Sequence, residues 1–242
     1  MREISLDRLR TLVAIADLGS FAEAARQLNL AAPTISLHVA ELEARIGAPL
    51  LGRARGQVRP TAIGETLLAR ARRLLADADL DAAVKAAVIG RYQNTGQVCA
   101  AAKRLIVEDS IADACTRKFV EATRELKVGN PLDDSTYIGP MARYDLRDEL
   151  DGQVQATLAE GATLLLGGHK VEGAANFYAP TVFANVTPQM TAFKQELFGP
   201  VAAIITARDA DHAVELANDS EFGLAATIYT ADYALAERMT AA

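Results

Sequence analysis

Apolar residues in the first third of the chain recur at helical spacing. Leu6, Leu9, Leu12, Val13 and Ala16 mark an amphipathic helix over 5–17, which Gly19 ends. Ser20-Phe21-Ala22-Glu23 has the form of a capping box. The Ser20 hydroxyl would take an orphan amide of a second helix while Glu23 reaches back. That helix buries Phe21, Ala24, Ala25 and Leu28 and stops at Asn29-Leu30. Pro33 suits the first turn of a third helix, where its missing N–H costs nothing. Ile35, Val39, Leu42 and Ile46 form its inner stripe, and Gly47 closes it. Thr34, Ser36, Leu37, His38, Glu41 and Arg45 fall on its outer face. Gly52 to Pro60 is glycine-punctuated and arginine-dense and reads as a hairpin. A further helix from about Thr61 to Ala76 carries Ile63, Leu67, Leu68 and Leu75 on one side. Two short helices, a tight turn and a polar-fronted third helix make a helix-turn-helix, with the hairpin as its wing.

Past residue 79 the rhythm changes. Helices are predicted over 82–93, with Asp79 or Asp81 as cap, and then over 111–126, 144–160, 210–218 and 231–241. In the second of these, Ile111, Cys115, Phe119, Ala122 and Leu126 form the inner stripe, so Cys115 reads as a small core hydrophobe. Strands are predicted over 104–108, 163–166, 180–185, 201–206 and 225–229. Strands alternating with helices argue for a layered α/β domain. The chain therefore reads as an all-α winged helix-turn-helix head over 1–60, a linker helix over 61–79, and an α/β body over 80–242.

Composition agrees with a division. Residues 1–79 hold 11 Arg, no Lys and 9 acids, a net of +2, while residues 80–242 hold 14 Lys or Arg and 22 acids, a net of −8. A weakly basic head on an acidic body suits different partners for the two parts. Cys99 and Cys115 are too few for a disulfide framework, which points to a reducing cytoplasm. No apolar run approaches the roughly 20 residues that a membrane helix needs, and no metal site is expected.

The run Ser20-Phe21, Ala24-Ala25, Leu28-Asn29-Leu30, Pro33, Ile35-Ser36, Leu42-Glu43, Gly47-Ala48-Pro49-Leu50-Leu51, Arg53, Thr61 and Gly64 closely resembles the N-terminal domain of LysR-type transcriptional regulators. The resemblance covers nearly all of residues 4–76. It implies DNA as partner, a third helix in the major groove, a wing on the backbone and a homodimer through the last helix. Carried over by position, Thr34, Ser36 and His38 become base-edge or phosphate contacts, and Arg53 and Arg55 phosphate contacts. Two residues depart from the family. Ala31 stands where a Ser or Thr cap is usual, at a cost of roughly 0.5–2 kcal/mol. Leu37 stands where a polar or basic residue is common.

The second resemblance rests on Asn94-Thr95-Gly96-Gln97-Val98-Cys99 and, about a hundred residues later, Glu196-Leu197-Phe198-Gly199-Pro200. Both resemble the aldehyde dehydrogenase superfamily, over about Asp77 to Ala242. Gly90-Arg91-Tyr92 and Ala100–Arg104 are most similar to its bacterial succinate-semialdehyde dehydrogenases. By position Cys99 matches the nucleophile that forms a thiohemiacetal with a small aldehyde, and its backbone N–H one oxyanion donor. Glu196 matches the carboxylate that holds the nicotinamide ribose, and Phe198 the ring beside the nicotinamide. The family's dinucleotide-binding domain, its oxyanion asparagine and its general-base glutamate are expected to be missing. Glu65 lies at a suitable distance before Cys99 but in Gly64-Glu65-Thr66-Leu67, which belongs to the regulator's helix. No cofactor is therefore expected to bind here, although NAD(P) serves the intact family. Three readings follow: a DNA-binding protein, an NAD(P)-dependent dehydrogenase of aldehydes such as succinate semialdehyde, and an inactive chimera whose body exposes apolar surface. The stretch 75–81 suits both neighbours and holds no Gly/Ser/Pro linker, which places a gene fusion or splice near Asp77–Leu80.

Overall fold

A computed structural model describes residues 4–54, 57–173 and 175–241. The chain divides into two compact units, Met1–Leu80 and Asp81–Ala242.

In the first unit α1 (Leu6–Leu18), α2 (Phe21–Gln27) and α3 (Ala32–Ile46) precede a two-stranded antiparallel hairpin, β1 (Leu51–Ala54) and β2 (Gln57–Pro60). Serines set the first two helix starts. Ser5 accepts from the Arg8 amide at 3.4 Å and Ser20 from the Glu23 amide at 3.3 Å. α3 begins at Ala31 with no side-chain cap and with Pro33 in its first turn. Left-handed glycines, Gly19 and Gly47, end α1 and α3. The core has two connected parts. Ala14, Ile15, Ala24, Ala25, Ile35 and Val39 close α1 on α2 and α3. Leu9, Leu12, Leu42 and Leu50 pack with Leu68, Ala71 and Leu75 of the long helix α4 (Ala62–Tyr92). Glu43 secures the entry to the hairpin by accepting from the Leu50 and Leu51 amides. Gly64 is required at the start of α4, because a Cβ there would lie 2.0 Å from the Leu50 carbonyl oxygen.

The second unit begins within α4 and is built on a four-stranded sheet. Its order is β3 (Arg104–Glu108), β6 (Val201–Ala207), β5 (Thr181–Ala184) and β4 (Thr163–Leu166). β3 and β5 run parallel to β6, and β4 runs antiparallel to β5. β6 is the centre of the sheet, buried at every residue but Thr206. Ala203, Ile205 and Ala207 join a cluster with Val154 of α6 (Tyr144–Ala159), Phe193 of α7 (Thr191–Lys194) and Leu216 of α8 (Ala210–Asn218). Ile204 and Thr206 instead line a groove with α5 (Asp109–Arg124). Each buried Ile or Val side chain stabilises by about 1.5–3 kcal/mol. α9 (Tyr233–Thr240) follows, with Asp232 as its cap.

Several expectations change. The helices expected over 61–76 and 82–93 are one helix, α4, so neither Asp79 nor Asp81 caps anything. Aspartate is a weak helix former, but the surrounding Ala and Leu outweigh it. Leu6, Ile46, Ile63 and Ile111 face solvent rather than the core. In α5 the inner line is instead Ala112, Phe119 and Thr123, with Cys115 half-buried beside it. Ser20 supplies its half of the expected capping box, with no reciprocal bond from Glu23 among the described residues. The strand expected over 225–229 does not form. Residues 223–229 form no regular element, with a bend at Leu224, and make no backbone hydrogen bond among the described residues. Their β-prone sequence lacks a neighbouring strand to pair with.

Candidate functional site

On the first unit the residues singled out fall along α3 and the hairpin. Ser36 is exposed, its hydroxyl 3.3 Å from the Ala32 carbonyl, and Leu37 beside it is 56% exposed. Thr34 is half-buried at the uncapped start of the helix. His38 is also half-buried, and its Nδ1 lies 2.8 Å from Thr11 Oγ1. That hydroxyl also donates to the Asp7 carbonyl at 2.9 Å, which leaves it free to accept from Nδ1–H. His38 therefore ties α3 to α1 as well as standing on the outer face. Arg53 lies in β1 opposite Val58, while Arg55 lies outside the described residues.

Not every arginine of the head is free. Arg8 pairs with Glu41 at 2.5 Å, Arg10 with Asp79 at 2.7 Å and Arg72 with Asp17 at 2.5 Å. Arg26, Arg45 and Arg59 are exposed and make no ion pair among the described residues. Arg26 was not singled out by sequence, because only the fold separates paired from unpaired arginines.

The second site is organised by the end of α4. Tyr92 is buried, donates to the Thr181 carbonyl at 2.8 Å and packs against Phe119 with ring centroids 6.0 Å apart. Burial in apolar surroundings pushes its phenol well above the ordinary tyrosine range. The chain then turns tightly through Asn94, Thr95 and Gly96, all at positive φ. Thr95 holds this turn by accepting from the Gly139 amide at 3.1 Å and donating to its carbonyl at 3.3 Å. Gln97 accepts from the Ala142 amide at 2.8 Å. Gly96 cannot be replaced without movement, since a Cβ would lie 2.2 Å from the Gly199 carbonyl oxygen.

Cys99 follows as an exposed thiol, and its backbone N–H makes no hydrogen bond among the described residues. An oxyanion forming on that sulfur's adduct would find this amide unengaged. Cys115 differs: burial pushes its thiol up, so it is a poor nucleophile. Glu196 is exposed with its carboxylate unpaired among the described residues, and Phe198 is 36% exposed. The segment bearing these two is brought to the Cys99 loop by Arg91. This buried guanidinium donates to the carbonyls of Ala102, Gly96 and Gly199 at 3.1, 2.8 and 3.1 Å. Desolvation brings it down to about 10, which still leaves it charged at neutral pH. Arg91 carried no chemical signal in the sequence beyond its place in a motif, because it works on backbone oxygens.

The residues present do not form a seat for a nicotinamide cofactor. Glu196 and Phe198 lie open to solvent, and no helix of residues 81–242 among the described residues starts from a glycine-rich turn. Two open cavities of about 620 and 460 Å³ lie against α5, and neither is lined by Cys99, Glu196 or Phe198. Glu65 is an exposed residue of α4 in the first unit. Among the described residues no cluster of His, Cys, Asp and Glu could hold a metal ion, and no helix is long and apolar enough to cross a membrane.

Comparison with known proteins finds two families in succession. Residues 6–65 match the bacterial regulatory helix-turn-helix proteins of the lysR family, and residues 71–242 match the aldehyde dehydrogenase family. Succinate semialdehyde dehydrogenase (NAD(P)+) of Escherichia coli strain K12 is 66% identical over 168 residues, covering 69% of this chain and 36% of its own length. A succinate-semialdehyde dehydrogenase (NADP(+)) of Mycolicibacterium paratuberculosis is 47% identical over 165 residues, covering 68% and 35%. Among solved structures, an NAD-dependent aldehyde dehydrogenase from Sinorhizobium meliloti superposes with a TM-score of 0.65 at 40% identity, over 67% of this chain and 32% of that one. The chain thus spans about a third of the length of the relatives it matches. Two family matches end to end are consistent with a fusion.

Proposed function

The chain belongs to the aldehyde dehydrogenase family through residues 71–242, and on that premise we propose that it joins a sequence-specific DNA-binding head to a body that adds aldehydes at Cys99 without oxidising them. The observation that carries the DNA reading is the outward face of α3. Ser36 and Leu37 are exposed there, Thr34 stands at an uncapped helix start, and Arg26, Arg45 and Arg59 are among the exposed arginines that make no ion pair among the described residues. In this reading residues 1–60 form a winged helix-turn-helix. Thr34, Ser36 and His38 meet base edges or phosphates, while Arg53, Arg55 and Arg59 meet phosphates. Residues 61–79 of α4 form the homodimer contact, and residues 80–242 the catalytic-domain portion, in a cytoplasmic protein. A gel shift on duplex DNA tests it: log affinity should fall linearly with log salt, with a slope of about −0.9 per phosphate contacted. Binding that ignores salt would refute it.

In the body, the reaction that closes with the residues present is addition. The Cys99 sulfur bonds to the aldehyde carbon, the C=O π bond opens, and the thiol proton passes to the oxygen, giving a thiohemiacetal. The Cys99 N–H donates to the developing oxyanion. This step needs no oxidant. An aldehyde bearing a carboxylate, such as succinate semialdehyde, is the choice that the named relatives suggest. Aldehyde should therefore protect Cys99, and not Cys115, from alkylation by iodoacetamide. The second reading, an NAD(P)-dependent dehydrogenase, is favoured by the 66% identity to the Escherichia coli enzyme. Absorbance of reduced nucleotide with succinate semialdehyde and NADP+ decides it, and a Cys99→Ala chain with unchanged turnover would sink it.

A further inference from the structure

The two segments on which the aldehyde reading depends are far apart in sequence, and a single side chain joins them. Arg91 is 2% exposed. Its Nη1 donates to Ala102 and its Nη2 to Gly96, so it fastens the loop that carries Cys99 three residues before the thiol and three residues after it. The same Nη2 donates to Gly199 at 3.1 Å and lies 3.5 Å from the Leu197 carbonyl, on either side of Phe198. The contact is close-packed, since a Cβ at Gly96 would meet both the Gly199 carbonyl and Arg91 Nη2 within 3 Å. Among the described residues no carboxylate lies within ion-pair distance of this buried cation, Glu196 acting on it only from farther off, and its Nε has no partner. A core built for stability alone would favour apolar filler or a carboxylate partner there. A planar fork of donors serves another purpose: it fixes several carbonyls in one plane at set spacings.

We propose that Arg91 is the positioning residue of this site, setting where the Cys99 thiol and its N–H stand relative to Glu196 and Phe198. The inference deepens the aldehyde-addition reading and rests on it for its chemical consequence. Arg91 touches no aldehyde itself and acts through the loop.

The test uses the full chain as wild type, Arg91→Met and Arg91→Lys. Alkylation of Cys99 and Cys115 by iodoacetamide is followed site by site by mass spectrometry, with and without succinate semialdehyde, alongside the thermal midpoint. A misplacement of about 1 Å at a reacting group costs on the order of a hundredfold in rate. Arg91→Met should accordingly weaken aldehyde protection of Cys99 by at least about tenfold and leave Cys115 as it was. Arg91→Lys, whose single ammonium reaches only part of the carbonyl set, should restore part of the protection even where its midpoint stays low. Protection in Arg91→Met equal to wild type overturns the inference and leaves the aldehyde reading standing. Cys99 and Cys115 becoming reactive together, without rescue by lysine, assigns Arg91 a structural role and also overturns it. If wild-type Cys99 shows no protection, the aldehyde reading fails. The alkylation rate of Cys99 without aldehyde then decides positioning alone: a change in Arg91→Met confined to Cys99 and reversed by lysine supports it, and no such change overturns it.

Discussion

The two units of this chain hold their candidate site residues in opposite ways. In the first, apolar stripes from three helices and the start of α4 close on one another, and the outward face of α3 is what remains once that core is satisfied. Its exposed apolar residues include Leu37 and Ile63. In the second, the sheet is equally dry at β6, but Phe222, Leu224 and Tyr229 are at least half exposed within one stretch whose backbone from 223 to 229 is unpaired. Its candidate site does not rest on that open side. It hangs from a buried arginine and a buried tyrosine at the end of α4. A recognition face needs only a complete core behind it, whereas a reacting thiol needs particular contacts on each side of its loop.

The largest effect concerns backbone protection. Amides of the buried β6 should open only with the unit's global unfolding, whereas amides of 223–229 have no hydrogen bond to break among the described residues. Their exchange rates should differ by at least about 10³-fold, as expected between core and unprotected backbone. Hydrogen exchange read by mass spectrometry checks this. Protection of 223–229 comparable to β6 would mean that the segment has found a partner strand, and the contrast between a closed and an open unit would fall. Next comes Leu12→Ala. Leu12 is fully buried in the first unit, so its loss should cost about 2–5 kcal/mol and abolish DNA binding near physiological temperature. Aldehyde protection of Cys99 should be unchanged, as measured by the same alkylation assay. If it is lost as well, the second site depends on the first unit's core and the two cannot be treated as separate.

Gly96→Ala probes the opposite side. It puts a Cβ into the Gly199 carbonyl at a left-handed position, which combines backbone strain of about 1–3 kcal/mol with overpacking of similar size. The loop must shift, so Cys99 should lose aldehyde protection while the DNA gel shift is unaffected. Unchanged protection would show that the tight Gly96–Gly199 approach is not what places the thiol.

Much of this architecture was legible from the residues. The strands at 104–108 and 163–166 and the helix at 210–218 lie where their residues predict them. The stops at Gly19 and Gly47 follow from their left-handed backbone. What escaped had non-local causes. The unbroken α4 depends on neighbouring Ala and Leu outvoting Asp79 and Asp81, either of which reads locally as a cap. Residues 225–229 have the sequence of a strand, but pairing is a property of two segments and no second one adjoins it. Cys99, Glu196 and Phe198 were visible as motifs. Arg91 and the Thr11–His38 bond were not, since a side chain that binds backbone oxygens or a distant hydroxyl leaves no spacing pattern.

The smallest effect lies in that last bond, and it separates two roles for one histidine. Thr11 is fully buried on α1, and its hydroxyl links the Asp7 carbonyl to His38 Nδ1. Thr11→Val keeps the shape and removes the oxygen. One hydrogen bond is lost, but His38 is only half-buried and regains water, so the cost should be about 1 kcal/mol in a urea titration. The ring then loses its anchor to α1. If His38 Nε2 meets DNA, freeing the ring weakens binding by no more than the roughly tenfold that 1.4 kcal/mol represents, and His38→Ala weakens it at least as much. If both variants lose stability while the gel shift stays put, His38 serves as a brace between α1 and α3, and recognition is left to Thr34, Ser36 and the unpaired arginines.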